Sequence, residues 1–127
     1  MAAQDEILTV LEEDLLQLED ILACMVAQKG LQGIVPTMSD KFKNQVLPIW
    51  EILQKTMDEF FETIRHYGEF GLDKVYFELG QFDVMFFILP GSDNALVAIV
   101  PALANRGLLE VELENARRRI VKILEKG

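Results

Sequence analysis

Few side chains in this sequence could carry out chemistry by themselves. His66 is the single histidine and Cys24 the single cysteine, so the usual ligand set of a zinc site cannot be assembled around them. Cys24 falls in the apolar run 21–27, where we expect a small buried hydrophobic side chain and not a nucleophile. His66 falls at the end of a helical segment, where we expect it to interact with terminal carbonyls. The sequence therefore predicts no metal site.

Charged clusters do not predict a convergent catalytic site either. Acidic residues gather at 12–14, 58–59 and 110–114, on segments with helical spacing, and we expect solvated helix faces there. The run Arg117–Arg119 would spread over about 200° of a helix, so favourable placement near a helix C-terminus is a simpler interpretation than one anion site. Neither GxGxxG nor GxxxxGK[ST] occurs. We therefore predict no catalytic residue and no cofactor.

Composition and charge narrow the class of protein. The 127 residues are 50% hydrophobic and 26% charged, which predicts one globular domain over residues 1–127. The 12 basic and 21 acidic residues give a net charge of −9, which disfavours nucleic acid and anionic membrane surfaces as partners. With no signal-peptide pattern and no apolar run of roughly 18 residues, we expect a cytoplasmic protein without membrane insertion.

Hydrophobic spacing predicts three helices and five strands. Short turns between the last three strands indicate an antiparallel meander, and Ser39 or Asp40 is the expected N-cap of the middle helix. Pro48 either lies in the first turn of this helix or bends a longer helix that starts near Asp40, and we expect the longer helix with a bend at Pro48. Residues 1–28 hold seven acidic side chains and no basic ones, whereas the last thirteen residues hold five basic side chains against Glu125. A place side by side on one sheet face would therefore match the charges of the first and last helices. In chain order the predicted elements are helix 4–18, strands 21–27 and 31–35, helix 40–67, strands 74–79, 84–89 and 95–100, and helix 105–125.

The middle helix has an apolar stripe about 120° wide, whereas a helix lying on a sheet needs about 100°. The surplus could cover the flank of the sheet within one chain, or it could face a second copy. Its aromatic residues and methionine are enriched in protein interfaces, which favours a two-fold dimer. Strand 74–79 is the most polar of the last three, so we expect an edge strand that pairs with its own copy. The predicted interface residues are Ile49, Trp50, Leu53, Met57, Phe60, Phe61, Ile64, Val75 and Phe77.

The closing third of the chain contains a strand, a polar turn, an apolar strand and an Ala-Asn-x-Gly-Leu helix start. Its defining residues are Leu89, Pro90, Gly91, Asp93, Ala95, Leu96, Val97, Ala98, Ile99, Ala104, Asn105, Gly107 and Leu108. This segment resembles the end of a roadblock/dynein light chain domain. The first hairpin is compatible with that family when Gly30 takes its glycine position, and the element order agrees over nearly the whole chain.

The resemblance implies an α+β, three-layer fold of the roadblock/profilin-like type. Its five-stranded antiparallel sheet would follow the order helix-strand-strand-helix-strand-strand-strand-helix, with the middle helix on one face and the terminal helices on the other. It also implies a homodimer and a non-enzymatic role as scaffold or regulator of a Ras-like small GTPase, by activating or localising it. Pro48 departs from the family pattern. No residue matches an arginine finger, so activation would work by positioning the GTPase's own groups.

Two other classes of protein remain as alternatives. An acidic dimeric chaperone of the bacterial secretion type is also small and α/β, but that class should place three strands before its middle helix, where two are predicted here. A small enzyme would require a pocket with convergent polar groups, which the sequence does not indicate.

Overall fold

A computed structural model of the chain describes residues 2–29, 31–36, 40–90 and 93–126. The order of elements predicted from the sequence is confirmed. The elements are α1 (Ala2–Thr9), which continues as a π-helical turn (Val10–Leu15), β1 (Ala23–Gln28), β2 (Leu31–Ile34), α2 (Asp40–Tyr67), a 3-10 turn (Gly68–Phe70), β3 (Lys74–Leu79), β4 (Phe82–Ile88), β5 (Asn94–Pro101) and α3 (Arg106–Lys126).

The five strands form one antiparallel sheet in the order β2-β1-β5-β4-β3. β4 and β5 are buried along nearly their whole length, as expected for strands covered on both faces. Alternate residues of β4 point to opposite faces: Phe86 packs with α2, and Phe87 packs with α1 and α3. The three-layer α+β fold is therefore confirmed, with α2 on one face and the terminal helices on the other.

α3 begins as the sequence predicts. The Asn105 side-chain oxygen accepts a hydrogen bond from the Leu108 N–H at 3.2 Å, which is the N-cap contact expected of an asparagine at this position. Leu109, Leu113 and Ile120 on its apolar stripe are buried against the sheet. α2 is likewise one continuous helix from Asp40, with Pro48 inside it. Ser39, Gly30 and Gly91, which the sequence also singles out, lie outside the described residues.

The first helix is shorter than predicted and changes geometry. The α-helical part ends at Thr9, the π-helical turn follows, and residues 16–18 form no helix. The Leu16 N–H bonds the Leu11 carbonyl, five residues back, at 2.9 Å. Leu11 and Leu15, which both lie in this turn, are fully buried in the core.

The boundary of β4 also differs from the prediction. β4 begins at Phe82, which pairs with Leu79, so only Gly80 and Gln81 separate β3 from β4. Gly80 has a φ of 77°, which glycine adopts without the steric cost that other residues meet. The predicted four-residue connection is wrong because the tight turn leaves Phe82 and Asp83 free to extend the ladder.

The terminal helices lie side by side, as the opposite charges at the two ends predict. Arg119 on α3 bonds the Asp14 carboxylate of the π-helical turn. Arg117, in contrast, makes its contacts on the other side of α3, with Asp73 and Glu114. The charge match between the chain ends is therefore carried by Arg119 and not by Arg117.

Candidate interface at the β3 edge

β3 forms one edge of the sheet, as predicted, and it is the least buried of the three strands in its meander. Its residues alternate in character: Val75 and Phe77 face α2, whereas Tyr76 and the two charged residues of the strand face α3. An unpaired edge strand offers a row of backbone donors and acceptors to another chain. We call the side towards α2 the apolar flank and the side towards α3 the polar flank.

The structure divides the nine predicted interface residues into two groups. Those whose side chains are already buried inside this single chain are Trp50, Leu53, Met57, Phe61 and Ile64. Those that are half-buried and pack against the core on the α2 side of the sheet are Ile49, Phe60, Val75 and Phe77. Their role in an interface stays a prediction, but the surface that a second chain could touch narrows to the second group.

Aromatic contacts build the apolar flank. The Phe60 ring lies 4.5 Å from that of Phe86 and 5.5 Å from that of Phe77, which it meets edge-on. Such geometry is favourable between aromatic rings. Beside these rings runs a groove of about 260 Å³ between α2 and β3, lined by Leu53, Thr56, Met57, Glu59, Phe60, Thr63 and Phe77.

Sequence reasoning missed the most exposed apolar residue of this flank. Ile52 is 63% exposed on α2. It lies three residues after Ile49 and four before Thr56, so the three share one side of the helix. The Thr56 hydroxyl donates to the Ile52 carbonyl at 2.9 Å and that of Thr63 to the Glu59 carbonyl at 3.1 Å, so neither threonine needs a partner from outside. The apolar stripe was read from the residues at its centre, and Ile52 lies at its margin. The spacing of three residues between Ile49 and Ile52 was the signal that could have found it.

The polar flank consists of hydrogen-bonded charges. The Tyr76 hydroxyl donates to the Glu110 carboxylate at 2.6 Å. Arg106, in the first turn of α3, bonds the Asp83 carboxylate at 2.5 Å, lies 3.6 Å from Glu78 and covers the Tyr76 ring at 5.9 Å. Asp83 is buried, and Arg106 supplies its partner, as a buried charge requires.

A second cluster continues this flank towards the start of β3. Arg117 bonds Asp73 at 2.5 Å and Glu114 at 2.6 Å, and Lys74 lies 3.5 Å from Glu114. The Arg117 guanidinium and the Lys74 ammonium both lie 5.3 Å from the centre of the Phe87 ring. Arg117 therefore ties α3 to the connection that leads into β3, and its side chain is only 12% exposed.

The pKa shifts follow from these contacts. Burial, and then the hydrogen bond to Glu110, raises the pKa of Tyr76 to about 12. Burial acts to raise the pKa of Glu114, but the hydrogen bonds from Arg117 outweigh it and hold that pKa below its usual range. The sequence contained a signal for this network: polar residues alternate along β3, and charged residues recur at 106, 110, 114 and 117 of α3, every three to four positions.

The other residues considered for chemistry lie apart from this edge. Cys24 is buried, with its Sγ 3.8 Å from the Leu11 carbonyl oxygen, and burial, followed by the charge of Glu12, raises the pKa of its thiol to about 12. The expectation of a small buried hydrophobic side chain is confirmed. His66 is exposed in the last turn of α2. The described residues contain no group of three His, Cys, Asp or Glu side chains able to hold a metal ion.

The fold and the exposed edge define a class of structure, the roadblock fold that the sequence resembles. Neither a family model nor a curated protein matches the chain. Among solved structures, it is similar to MglB of Myxococcus xanthus (15% identity, 98% of this chain and 90% of that one, TM-score 0.66). It is also similar to MglC of the same organism (19% identity, 90% of this chain and 95% of that one, TM-score 0.68). A third similar structure is the gliding protein MglB of Thermus thermophilus (13% identity, 100% of this chain and 94% of that one, TM-score 0.66).

Across the part of the chain that the structure describes, every helix is too short or too polar to cross a bilayer.

Proposed function

We propose that this chain is a non-catalytic homodimer that regulates a Ras-like small GTPase. The observation that carries the proposal is an unpaired edge strand beside an exposed apolar flank, in a fold shared with MglB and MglC. A second copy lying on β3 and α2 would satisfy the free backbone groups of the edge and remove Ile52 and Phe60 from water. A structure of MglB with a tetrameric arrangement has the same fold, at 13% identity and a TM-score of 0.66.

Ile52→Glu tests the dimer. Ile52 is exposed, so a glutamate there should leave the fold intact, yet each copy would place one carboxylate against the apolar flank of the other. We expect the wild type to run as a dimer in light scattering at micromolar concentration and the variant as a monomer with an unchanged circular dichroism spectrum. Trp50 would be a poor choice for this test, because it is 3% exposed and belongs to the core.

Gln54→Glu is the matched control for the dimer test. Gln54 is also exposed on α2, two residues away and on a different side of the helix, and the substitution adds the same charge. It should leave the dimer intact. A wild-type monomer, or an Ile52→Glu variant that dimerises as tightly as the wild type, would refute an interface on the apolar flank.

The GTPase is tested separately. The purified chain is used to capture proteins from native lysate in the presence of GDP or of a non-hydrolysable GTP analogue. We expect a small GTPase to be enriched in one nucleotide state. Hydrolysis by the purified GTPase then separates an activator, which raises the rate, from a localising scaffold, which binds without changing it. Absence of any GTPase from both captures would count against the proposal.

The chaperone alternative gains no support from the fold. In the part of the chain that the structure describes, two strands precede α2, whereas a secretion chaperone of the type considered should have three. The same capture experiment distinguishes the two functions, because a chaperone would retain unfolded export substrates instead of a folded GTPase.

A further inference from the structure

Three exposed apolar residues lie between the end of β5 and the second turn of α3. Leu108 and Val111 are 58% and 56% exposed, and their spacing of three residues makes them neighbours on the helix surface. Leu103, in the turn just before the helix, is 99% exposed. We call these three residues the α3 patch. Adjoining apolar side chains left open to water are typical of an interaction site.

The α3 patch lies apart from the interface proposed above. α3 and α1 cover one face of the sheet, whereas α2 and the apolar flank belong to the other. On α3 itself, Glu110 faces β3 through its bond to Tyr76, and Leu108 lies about 200° around the helix from Glu110. A chain bound at the α3 patch would therefore leave the β3 edge and the apolar flank free.

The segment before β1 brings acidic side chains to the same end of the molecule. The Leu22 N–H bonds the Ile99 carbonyl at 2.9 Å, two residues before β5 ends. Neighbouring strands lie only about 4.8 Å apart. Glu19 and Asp20, which are both exposed, therefore lie near the turn that carries Leu103.

The acidic residues around the α3 patch are available to a partner. Glu112 follows Leu108 by four residues on the same side of α3. In the part of the chain that the structure describes, no ion pair includes Glu19, Asp20 or Glu112. The basic residue nearest to Leu108 in the sequence is Arg106, which bonds the buried Asp83 carboxylate. The surroundings of the patch therefore keep a negative charge.

This combination of apolar and acidic residues determines the kind of partner that fits. A second copy of the chain would bring the same three carboxylates to the same small area, where they would repel each other. An amphipathic helix can pack its apolar ridge against Leu108 and Val111, and basic residues beside that ridge would meet the carboxylates. We propose that the α3 patch binds a basic amphipathic helix of another protein, on a surface separate from the proposed dimer interface.

A designed peptide tests this binding surface. The probe is a fluorescein-labelled helix of about five turns, with leucines along one face and lysines on the rest, and fluorescence anisotropy at low salt measures its binding. We expect the wild-type chain to bind it and not a peptide in which glutamates replace the lysines. A peptide with the same composition in scrambled order has no apolar face and should bind about tenfold more weakly. Equal binding of the ordered and scrambled peptides, or no binding of either, would overturn the proposal.

A pair of variants locates the bound peptide on the chain. Leu108→Ser/Val111→Ser removes exposed side chains only, so it should keep the wild-type circular dichroism spectrum and lose about tenfold in peptide affinity. Ile52→Ser is the matched control, because it removes an exposed apolar side chain from the opposite face of the sheet and should leave the affinity unchanged. Wild-type affinity in the double variant would refute the α3 patch as the site.

A second pair of variants tests the acidic residues. Glu19→Gln/Asp20→Asn should weaken binding about threefold or more, by a factor that shrinks as salt screens the charges. Glu51→Gln/Glu59→Gln removes two exposed carboxylates from α2, which lies on the other face, and should have no comparable effect. Equal losses from the two pairs would mean that only the net charge of the chain attracts the peptide, which contradicts a defined site.

The outcomes separate this inference from the function proposed above. Light scattering should give the same mass for the wild type and for Leu108→Ser/Val111→Ser. A lower mass in the variant alone would mean that the α3 patch holds a second copy, which overturns the inference. Peptide binding without a dimer or a GTPase would refute only the regulatory role, whereas a dimeric regulator that binds no basic peptide would refute only the α3 patch.

Discussion

The two flanks of β3 differ although alternate residues of one strand build them. On the apolar flank, Phe77 meets Phe60 and Phe86 through ring contacts that require no particular partner atom. On the polar flank, Tyr76 meets Glu110 through a directional hydrogen bond, and the neighbouring charges are held by arginines of α3. The first flank can supply burial energy to an interface, and the second can supply its geometry.

The difference has an energetic basis. Apolar burial contributes about 25 cal/mol per Å² wherever the surface lies, so the apolar flank stabilises the packing of any chain that buries it. Ion pairs at an exposed edge contribute about 0–1 kcal/mol each but depend on position. We therefore expect the apolar flank to contribute most of the stability, and the polar flank to determine how a second chain is aligned against β3. The predictions below test this division.

The largest expected effect is that of Phe61→Ala. Phe61 of α2 is fully buried, and removing such a ring costs about 3–5 kcal/mol of unfolding free energy. Its neighbour Phe60 is half-buried, so Phe60→Ala should cost less in the monomer but weaken self-association. Urea unfolding in the Ile52→Glu background measures the monomer alone. Equal losses of unfolding free energy from the two variants would contradict the division between core and flank on α2.

The next effect is that of Arg117→Ala on the polar flank. The substitution leaves Asp73 and Glu114 without their guanidinium and removes the tie between α3 and β3, at a cost of about 2 kcal/mol. Arg118→Ala, at an exposed neighbouring position, should stay within about 0.5 kcal/mol of the wild type. Chemical denaturation distinguishes them. Equal effects would mean that the Arg117 contacts contribute no net stability.

The elements of the fold could be predicted from the sequence because each has a local cause. Asn105 caps α3, Gly80 allows the turn before β4, and continuous apolar runs produce the buried strands β4 and β5. The π-helical turn could not be predicted from the sequence, because a π-helical turn and an α-helix have nearly the same spacing of apolar residues.

The candidate interface could be predicted only in part. The stripe of α2 indicates an apolar helix face, but it does not show which of its residues belong to the core. Phe61 is buried in the core and Phe60 lies on the apolar flank, and only the position of the sheet distinguishes the two. The polar network was missed because its members are distant in sequence: Tyr76 and Glu110 are 34 residues apart, and the strand order brings them together.

The smallest effect concerns Tyr76→Phe and depends on pH. The pKa of Tyr76 is raised to about 12, whereas that of a free tyrosine is about 10, so folding favours the neutral phenol. Its stabilising contribution is therefore complete below pH 10 and is lost as the pH rises from 10 to about 12. The variant should be about 1 kcal/mol less stable than the wild type at pH 8, with the gap closing over that interval.

Ultraviolet titration supplies the matched measurement for Tyr76. The phenolate absorbance step near pH 12 should disappear in Tyr76→Phe and persist in Tyr67→Phe, whose side chain is 54% exposed at the end of α2. A step near pH 10 for Tyr76 would mean that the bond to Glu110 does not hold the phenol in solution. The polar flank would then lack a fixed hydrogen bond at its centre, and the difference between the two flanks would reduce to apolar burial alone.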